Sequence, residues 1–239
     1  MEKIINADNF QMFAHSNAEL IKGEIKGIML SFHGLNNTTM FNNEHTEPEM
    51  FCAENGILYI FPYYDPWGWM NRADVKYVDD VVDAVIENFE LPDNIPIAST
   101  GGSMGGLSAL IYTKYAKRTP VCCAANSPVC DLLKHYTERP DLPRTIYHAF
   151  ASYDGILEEA IKTASPIHLV NDLPDIPYYI VHGTADSAVN KELHSDNFVS
   201  KMKSAGKNII YDEVEGMRHC KLDFKHQARF YGFILSNLI

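Results

Sequence analysis

Residues 99–106 read STGGSMGG, and within them Gly101, Gly102, Ser103, Met104 and Gly105 fit the pattern G-x-S-x-G. The pattern has a mechanical reason. A serine on a sharp strand-to-helix turn raises its hydroxyl clear of the backbone, and glycines on either side let strand and helix approach each other. The helix that follows points the positive end of its dipole at the same spot, where negative charge would develop. Glycine-rich loops also cradle phosphates. A phosphate loop, however, needs Lys then Ser or Thr after its glycines, and a dinucleotide turn needs G-x-G-x-x-G in the first βα unit; neither is present.

Outward from this turn, short apolar runs bounded by turn residues recur at 27–33 (GIMLSFH), 57–61 (ILYIF), 95–100 (IPIAST), 121–126 (VCCAAN), 178–182 (YYIVH) and 208–214 (NIIYDEV). Runs apolar on both faces suit a parallel sheet covered by helices on each side. Helical stretches alternate with them. In 72–89, Val75, Val78, Val82, Val85, Ile86 and Phe89 step by three or four and share one face, with Asn71 placed to cap the start and Asp74 favourable in the first turn. Further helices are expected at 104–116, 191–204 and 222–238. The alternation predicts an α/β fold with a mostly parallel, doubly wound sheet. One domain over residues 1–239 is expected, since a single core grows to roughly 250 residues before chains split. Residues 128–177, rich in Pro, Tyr, His and charge, are too long for an ordinary connection and are read as a small helical cap.

Serine is a weak nucleophile at neutral pH and needs a base within hydrogen-bond reach, itself oriented by an acid. The run YYIVH continues as Gly183, Thr184, Ala185, Asp186, and the run NIIYDEV is followed by Gly216, Met217, Arg218, His219. Both stretches lie just past a strand. On the C-terminal edge of one sheet, where open α/β sheets bind ligands, Ser103, Asp186 and His219 would meet. Among the ten histidines, His219 is favoured by its late position and preceding glycine, whereas His33 and His182 end strands and are suited to bonding loop backbone. His226 is read as a surface helix residue.

The order Ser, Asp, His, the GGSMGG turn, the HGTAD strand end and the GMRH loop resemble the α/β-hydrolase superfamily, especially its compact prolyl-oligopeptidase-like and esterase branches. The match runs from about Gly27 to the C-terminus. The resemblance implies that His33 and Gly34 stand where the superfamily carries its HG oxyanion loop. Leu35 and Met104 would then each donate a backbone N–H to the oxyanion, worth roughly 3 to 4 kcal/mol apiece. The loop reads HGLN, not the HGGG of the hormone-sensitive-lipase branch. The implied activity is a serine carboxylesterase working through an acyl-enzyme, with short-acyl or aryl esters, such as acetyl or feruloyl groups on carbohydrate, as the substrate class. Two alternatives accompany it. One is a small serine peptidase of prolyl-oligopeptidase type, disfavoured because 239 residues leave no room for that family's N-terminal propeller. The other is a silent hydrolase fold used for binding.

Residues 63–71, YYDPWGWMN, hold both tryptophans and follow the run ILYIF. One of Trp67 and Trp69 is expected to face the cleft as a platform for an aryl or sugar group and the other to cement the loop to the core. His33 and Gly34 are counted with them as substrate-binding candidates. No metal or cofactor is expected: H-E-x-x-H is absent, and the nearest approach to it, Glu44-His45-Thr46-Glu47, reads as a solvated polar loop.

Composition sets the outer limits. Twenty Lys plus Arg against 31 Asp plus Glu give a net charge of −11, which disfavours nucleic acid and suits a neutral small-molecule ester as partner. With 46% hydrophobic and 21% charged residues the chain can build a core. The opening MEKIINADNF lacks the apolar core of a secretory signal, and no run approaches the roughly 18 apolar residues of a membrane span. The five cysteines include no C-x-x-C pair, so reduced, packed thiols are expected. A cytoplasmic protein is the resulting expectation, and assembly into a homo-oligomer is left open.

Overall fold

The computed structural model describes residues 4–35 and 45–239. Its centre is a sheet of seven strands in the order β1-β3-β2-β4-β5-β6-β7. Six of them are the expected apolar runs: β2 (Gly27–Phe32), β3 (Ile57–Pro62), β4 (Ile97–Gly102), β5 (Cys122–Asn126), β6 (Tyr178–Gly183) and β7 (Ile209–Val214). All six pair in parallel. Residues of β3 and β6 are buried throughout, as expected of strands covered on both faces. The seventh strand, β1 (Ala14–Ser16), runs antiparallel along the β3 edge and adds to the expected six; its three residues are too few to show a period in the sequence.

Helices cover both faces. One face carries α2 (Arg72–Asn88) and α3 (Met104–Tyr115), whose Val78, Val82, Val85, Leu107 and Leu110 join the larger apolar cluster. The other carries α1 (Glu47–Glu54) and α8 (Phe224–Leu238), which bring Cys52, Phe230, Ile234 and Leu238 against Met29, Tyr59 and Tyr179. Asn71 caps α2 as expected, its side chain accepting from the N–H groups of Ala73 and Asp74.

Two local departures occur, while the expected cap is helical. Residues 46–49 are not a free polar loop: Thr46 and Glu49 form a reciprocal capping box that starts α1. Glu44 lies outside the described residues. The helix expected at 191–204 opens with a π-helical turn at Glu192–Asp196 before α7 (Asn197–Ser204). Between β5 and β6, residues 128–177 form three short helices, α4 (Leu132–His135), α5 (Leu142–Phe150) and α6 (Leu157–Lys162), with two 3-10 turns. No helix among the described residues is long and apolar enough to cross a membrane.

The topology selects a place for chemistry. From β2 the chain steps outward to β3, then crosses back to add β4 on the other side of β2. The strand order therefore reverses between β2 and β4, and the crevice beyond their carboxyl ends is where open α/β sheets take ligands. His33-Gly34-Leu35 leaves β2 there, and Ser103 leaves β4 there.

Candidate active site

Ser103 occupies the single residue between β4 and α3, with φ 60° and ψ −123°. A non-glycine residue held in this region is strained, and such strain persists only where the surroundings fix it. Here they do. Ser103 N–H donates to Asn126 O at 2.9 Å, while its carbonyl accepts from Gly106 and Leu107 at 3.1 and 3.2 Å. The neighbouring glycines are required by contact: a Cβ on Gly101 would lie 2.4 Å from Gly105 O, and one on Gly105 would lie 2.1 Å from Phe32 O. Helix α3 is thus pressed against the end of β2. Met104, the first residue of α3, has no intrahelical acceptor for its N–H, and Gly34 stands opposite Gly102 O. The two expected oxyanion donors, Leu35 and Met104, therefore belong to segments that meet at the nucleophile turn.

This packing gives a first expected outcome. Gly105→Ala must push α3 away from backbone atoms of Phe32 and His33, costing about 1–3 kcal/mol and separating the two donors. A urea midpoint lowered to match, together with a reduced kcat, is expected; an unchanged midpoint would show that the contact is not as tight as described.

Asp186 and His219 come from the turns after β6 and β7. The turns are bound to each other by Ala185 N–H to Met217 O at 3.1 Å and Gly216 N–H to Thr184 Oγ1 at 2.9 Å. Gly183 allows this approach, since a Cβ there would sit 2.0 Å from Met217 O. His219 Nδ1 donates to Asp186 Oδ2 at 2.7 Å. The Asp186 carboxylate is fully buried and accepts also from the N–H groups of Ala188 and Val189, at 2.9 and 3.0 Å, while His182 Nε2 lies 3.1 Å from Oδ2. Burial works against its charge, but these hydrogen bonds, led by those of His182 and His219, hold the carboxyl well below the usual carboxylate range. On His219 burial likewise opposes the charged form, and the bond to Asp186 prevails, raising the imidazole above its ordinary value. With Nδ1 engaged by Asp186, Nε2 is the nitrogen that remains to take a proton.

Cys220 joins this pair to the serine turn. Its Sγ lies 3.5 Å from Asn126 O, the carbonyl that also receives Ser103 N–H, and 3.8 Å from His219 Nε2. A Cβ on Gly102 would be 3.0 Å from the same sulfur. The Asn126 carbonyl and Cys220 thus link the turn that carries Ser103 to the loop that carries His219, with the thiol at His219 Nε2. Cys220 is also the one half-exposed cysteine; Cys52, Cys122, Cys123 and Cys130 are buried, and burial pushes the thiols of Cys52, Cys122 and Cys123 up to about 12. Iodoacetamide is therefore expected to inactivate the protein by alkylating Cys220, and the Cys220→Ser variant to keep its rate in the reagent. Equal inactivation of both would refute this placement.

Sequence reasoning did not find Cys220 here, nor the second imidazole on Asp186. His182 is buried, its Nδ1 2.7 Å from Ser195 Oγ and its Nε2 3.2 Å from Val189 O. It bonds loop backbone as expected and braces the acid as well. The HGTAD spacing was the available signal: three residues separate His182 from Asp186 across one tight turn.

Two of the four substrate-binding candidates are corrected. His33 is 4% exposed; its ring stacks on Tyr64 at 4.0 Å and places its two nitrogens 3.1 and 3.3 Å from the carbonyls of Gly34 and Tyr64. It braces the loop and offers nothing to a ligand. Trp69 is 0% exposed, and its Nε1 donates to Thr145 Oγ1 on α5 at 3.1 Å, so it is the tryptophan that cements. Trp67 is half-buried beneath the Arg144 guanidinium, 5.2 Å from its ring centre, and beside His148. Together with Asn71 Nδ2 to Ala149 O, these contacts make residues 65–71 the mooring of α5. A cavity of about 370 Å³ lies elsewhere, lined by Val75, Tyr115 and Tyr153 and by none of Ser103, Asp186 and His219.

Comparison with known proteins agrees with this architecture. Among solved structures, an acylaminoacyl peptidase of Pyrococcus horikoshii superposes with TM-score 0.72 at 13% identity, over 89% of this chain and 36% of its own. The present chain thus spans about a third of that protein. An S-formylglutathione hydrolase from Agrobacterium tumefaciens gives TM-score 0.69 at 17% identity, over 90% of this chain and 86% of its own. Esterase B from Lactobacillus rhamnosis gives 0.68 at 11% identity, over 91% and 78%. At such identities the likeness is one of fold, the α/β-hydrolase fold. No curated protein matches the sequence. The family model of the prolyl oligopeptidase family matches residues 65–238, which include Ser103, Asp186 and His219, and the chain belongs to that family of serine hydrolases.

Proposed function

We propose that this serine hydrolase cleaves carboxylic esters through an acyl-enzyme on Ser103. The observation that carries the proposal is the fully buried Asp186 carboxylate bonded to His219 Nδ1 at 2.7 Å, linked through Cys220 and the Asn126 carbonyl to a serine held at φ 60°. In this reading His219 Nε2 takes the proton of Ser103 Oγ as the oxygen attacks the ester carbonyl. Leu35 and Met104 N–H groups receive the oxyanion. Asp186 orients the imidazole and stabilises its charged form. Collapse of the tetrahedral intermediate expels the alcohol with the proton from His219, and water repeats the sequence to free the acid and Ser103.

Short-acyl or aryl esters remain the proposed substrates. Fold neighbours that the chain covers for most of their length include one named an esterase and one named an S-formylglutathione hydrolase. The family match favours a second reading, a serine peptidase. An ester panel varied in acyl and alcohol groups, run beside an aminoacyl anilide, separates the two. Faster turnover of acetyl and aryl esters is expected; faster turnover of the anilide selects the peptidase, and rates rising steadily from acetyl to palmitoyl contradict the short-acyl class.

A further inference from the structure

Away from Ser103, two clusters of imidazole and carboxylate occur among the described residues: His15, His45 and Glu49, and His135, Glu138 and His194. Hydrogen bonding distinguishes them. In the second, His194 Nδ1 accepts from the N–H groups of both Cys130 and Asp131 at 3.1 Å. Its Nε2 must therefore carry the proton, which it donates to Glu138 at 3.0 Å; His135 Nδ1 bonds the same carboxylate oxygen. No lone pair of His194 is left for a metal, and the cluster is a satisfied hydrogen-bond pin.

The first cluster is different. His15 belongs to β1, Glu49 to the first turn of α1, and His45 immediately precedes the Thr46 cap. Their nearest ligand atoms all lie within 4.8 Å of one another. His45 Nε2 lies 3.3 Å from Glu19 Oε1, and the tautomer that turns the ring proton toward this carboxylate keeps a lone pair on Nδ1. That Nδ1 is buried and has no hydrogen-bond partner. It points toward Glu49 Oε2 at 3.6 Å, too far for a hydrogen bond, and Oε2 is already bound by Thr46 N–H at 2.6 Å. Glu49, 5% exposed, holds its other oxygen 2.6 Å from His15 Nε2.

We infer that His15 Nε2, His45 Nδ1 and the Glu49 carboxylate form a binding site for a divalent transition-metal ion of the zinc type, fastening edge strand β1 to the start of α1. Ligands about 2.0–2.1 Å from a tetrahedral zinc lie about 3.3 Å apart; His15 Nε2 is 2.6 Å from Glu49 Oε1 and His45 Nδ1 is 3.6 Å from Glu49 Oε2, on either side of that value. Two imidazoles with one carboxylate suit zinc, cobalt or nickel and not the all-oxygen preference of calcium or magnesium. The outer contacts needed to orient such ligands are in place, Glu19 on His45 and Thr46 N–H on Glu49. On binding, the proton of His15 Nε2 moves to Nδ1 or to solvent, and the metal takes its place beside Glu49; water completes the coordination. The site shares no residue with Ser103, Asp186 and His219.

The test is titration of the chelator-treated full chain with ZnCl₂ and CoCl₂, followed by calorimetry, cobalt absorption and thermal unfolding. One zinc bound per chain with Kd below about 10 µM, a visible cobalt band of a four- or five-coordinate site, and a Tm raised by the metal are expected. His45→Ala and Glu49→Gln should each weaken binding at least about tenfold, the Gln still able to serve the helix cap. Glu19→Gln should weaken it less. Cys220→Ser, which removes the only thiol near an imidazole of the other site, should leave it unchanged. No binding, binding unaffected by His45→Ala and Glu49→Gln, or binding lost with Cys220→Ser would each overturn the inference. Ester hydrolysis by metal-free protein is measured alongside and reports on the Ser103 site alone.

Discussion

Ser103→Ala lowers kcat for a short-acyl ester by about 10⁶-fold, the loss expected when the nucleophile of a serine–histidine–aspartate unit is removed. The residual rate over water, about 10³-fold, comes from binding and the oxyanion donors. The fold is untouched, because Ala at 103 keeps the same backbone strain, and the bonds through Asn126, Gly106 and Leu107 are made by the backbone. A urea midpoint within about 0.5 kcal/mol of wild type checks this. Hydrolysis retained within tenfold would mean that another group attacks the ester. Cys220, with its sulfur 3.8 Å from His219 Nε2, would be the first to examine.

Asp186→Asn is expected to lower kcat by about 10⁴-fold and to move the pH profile as well. Asn cannot accept from His219 and His182 as a carboxylate does, and its NH₂ group favours the wrong imidazole tautomer. The sign of the pH effect follows from the raised pKa of His219. The base must be neutral to accept the serine proton, so kcat/KM falls as pH drops through that raised value, and the acid limb of the wild type lies above pH 6.5. In Asp186→Asn the limb moves down toward 6.5. Stability carries the same linkage with two signs. The His219 contribution is fully present below the unfolded pKa near 6.5 and is lost as pH rises through the higher folded value. The Asp186 contribution is present above its unfolded pKa near 3.9 and is lost as pH falls through the lower folded value. A limb that stayed fixed on substitution would assign the titration to another group.

Much of this site is local in the chain and so could be read from residues alone. GGSMGG specifies a strand, a one-residue turn and a helix, and the contact distances from Gly101 and Gly105 explain why no other residue type fits there. HGTAD ends one strand and GMRH follows another, and a parallel sheet necessarily gathers such loops on one edge. What was not legible depends on partners far apart in sequence. Trp69 and Trp67 look alike in YYDPWGWMN; only the arrival of α5, with Thr145 and Arg144, buries one and half-covers the other. His33 is confined by Tyr64, thirty-one residues on, which no local pattern announces. The capping box of Thr46 and Glu49 was present in the sequence as T-x-x-E. The surrounding residues are polar and lack an apolar period, so the motif alone does not announce a helix, nor the approach of His45 and Glu49 to His15.

The central claim, that Ser103 is the nucleophile activated by His219 and Asp186, is tested most directly by reacting the folded protein with a fluorophosphonate and locating the adduct by peptide mass mapping. One adduct per chain on Ser103 is expected, absent from Ser103→Ala and formed far more slowly in Asp186→Asn. An adduct on a different residue, or none in folded protein that still hydrolyses esters, would contradict it.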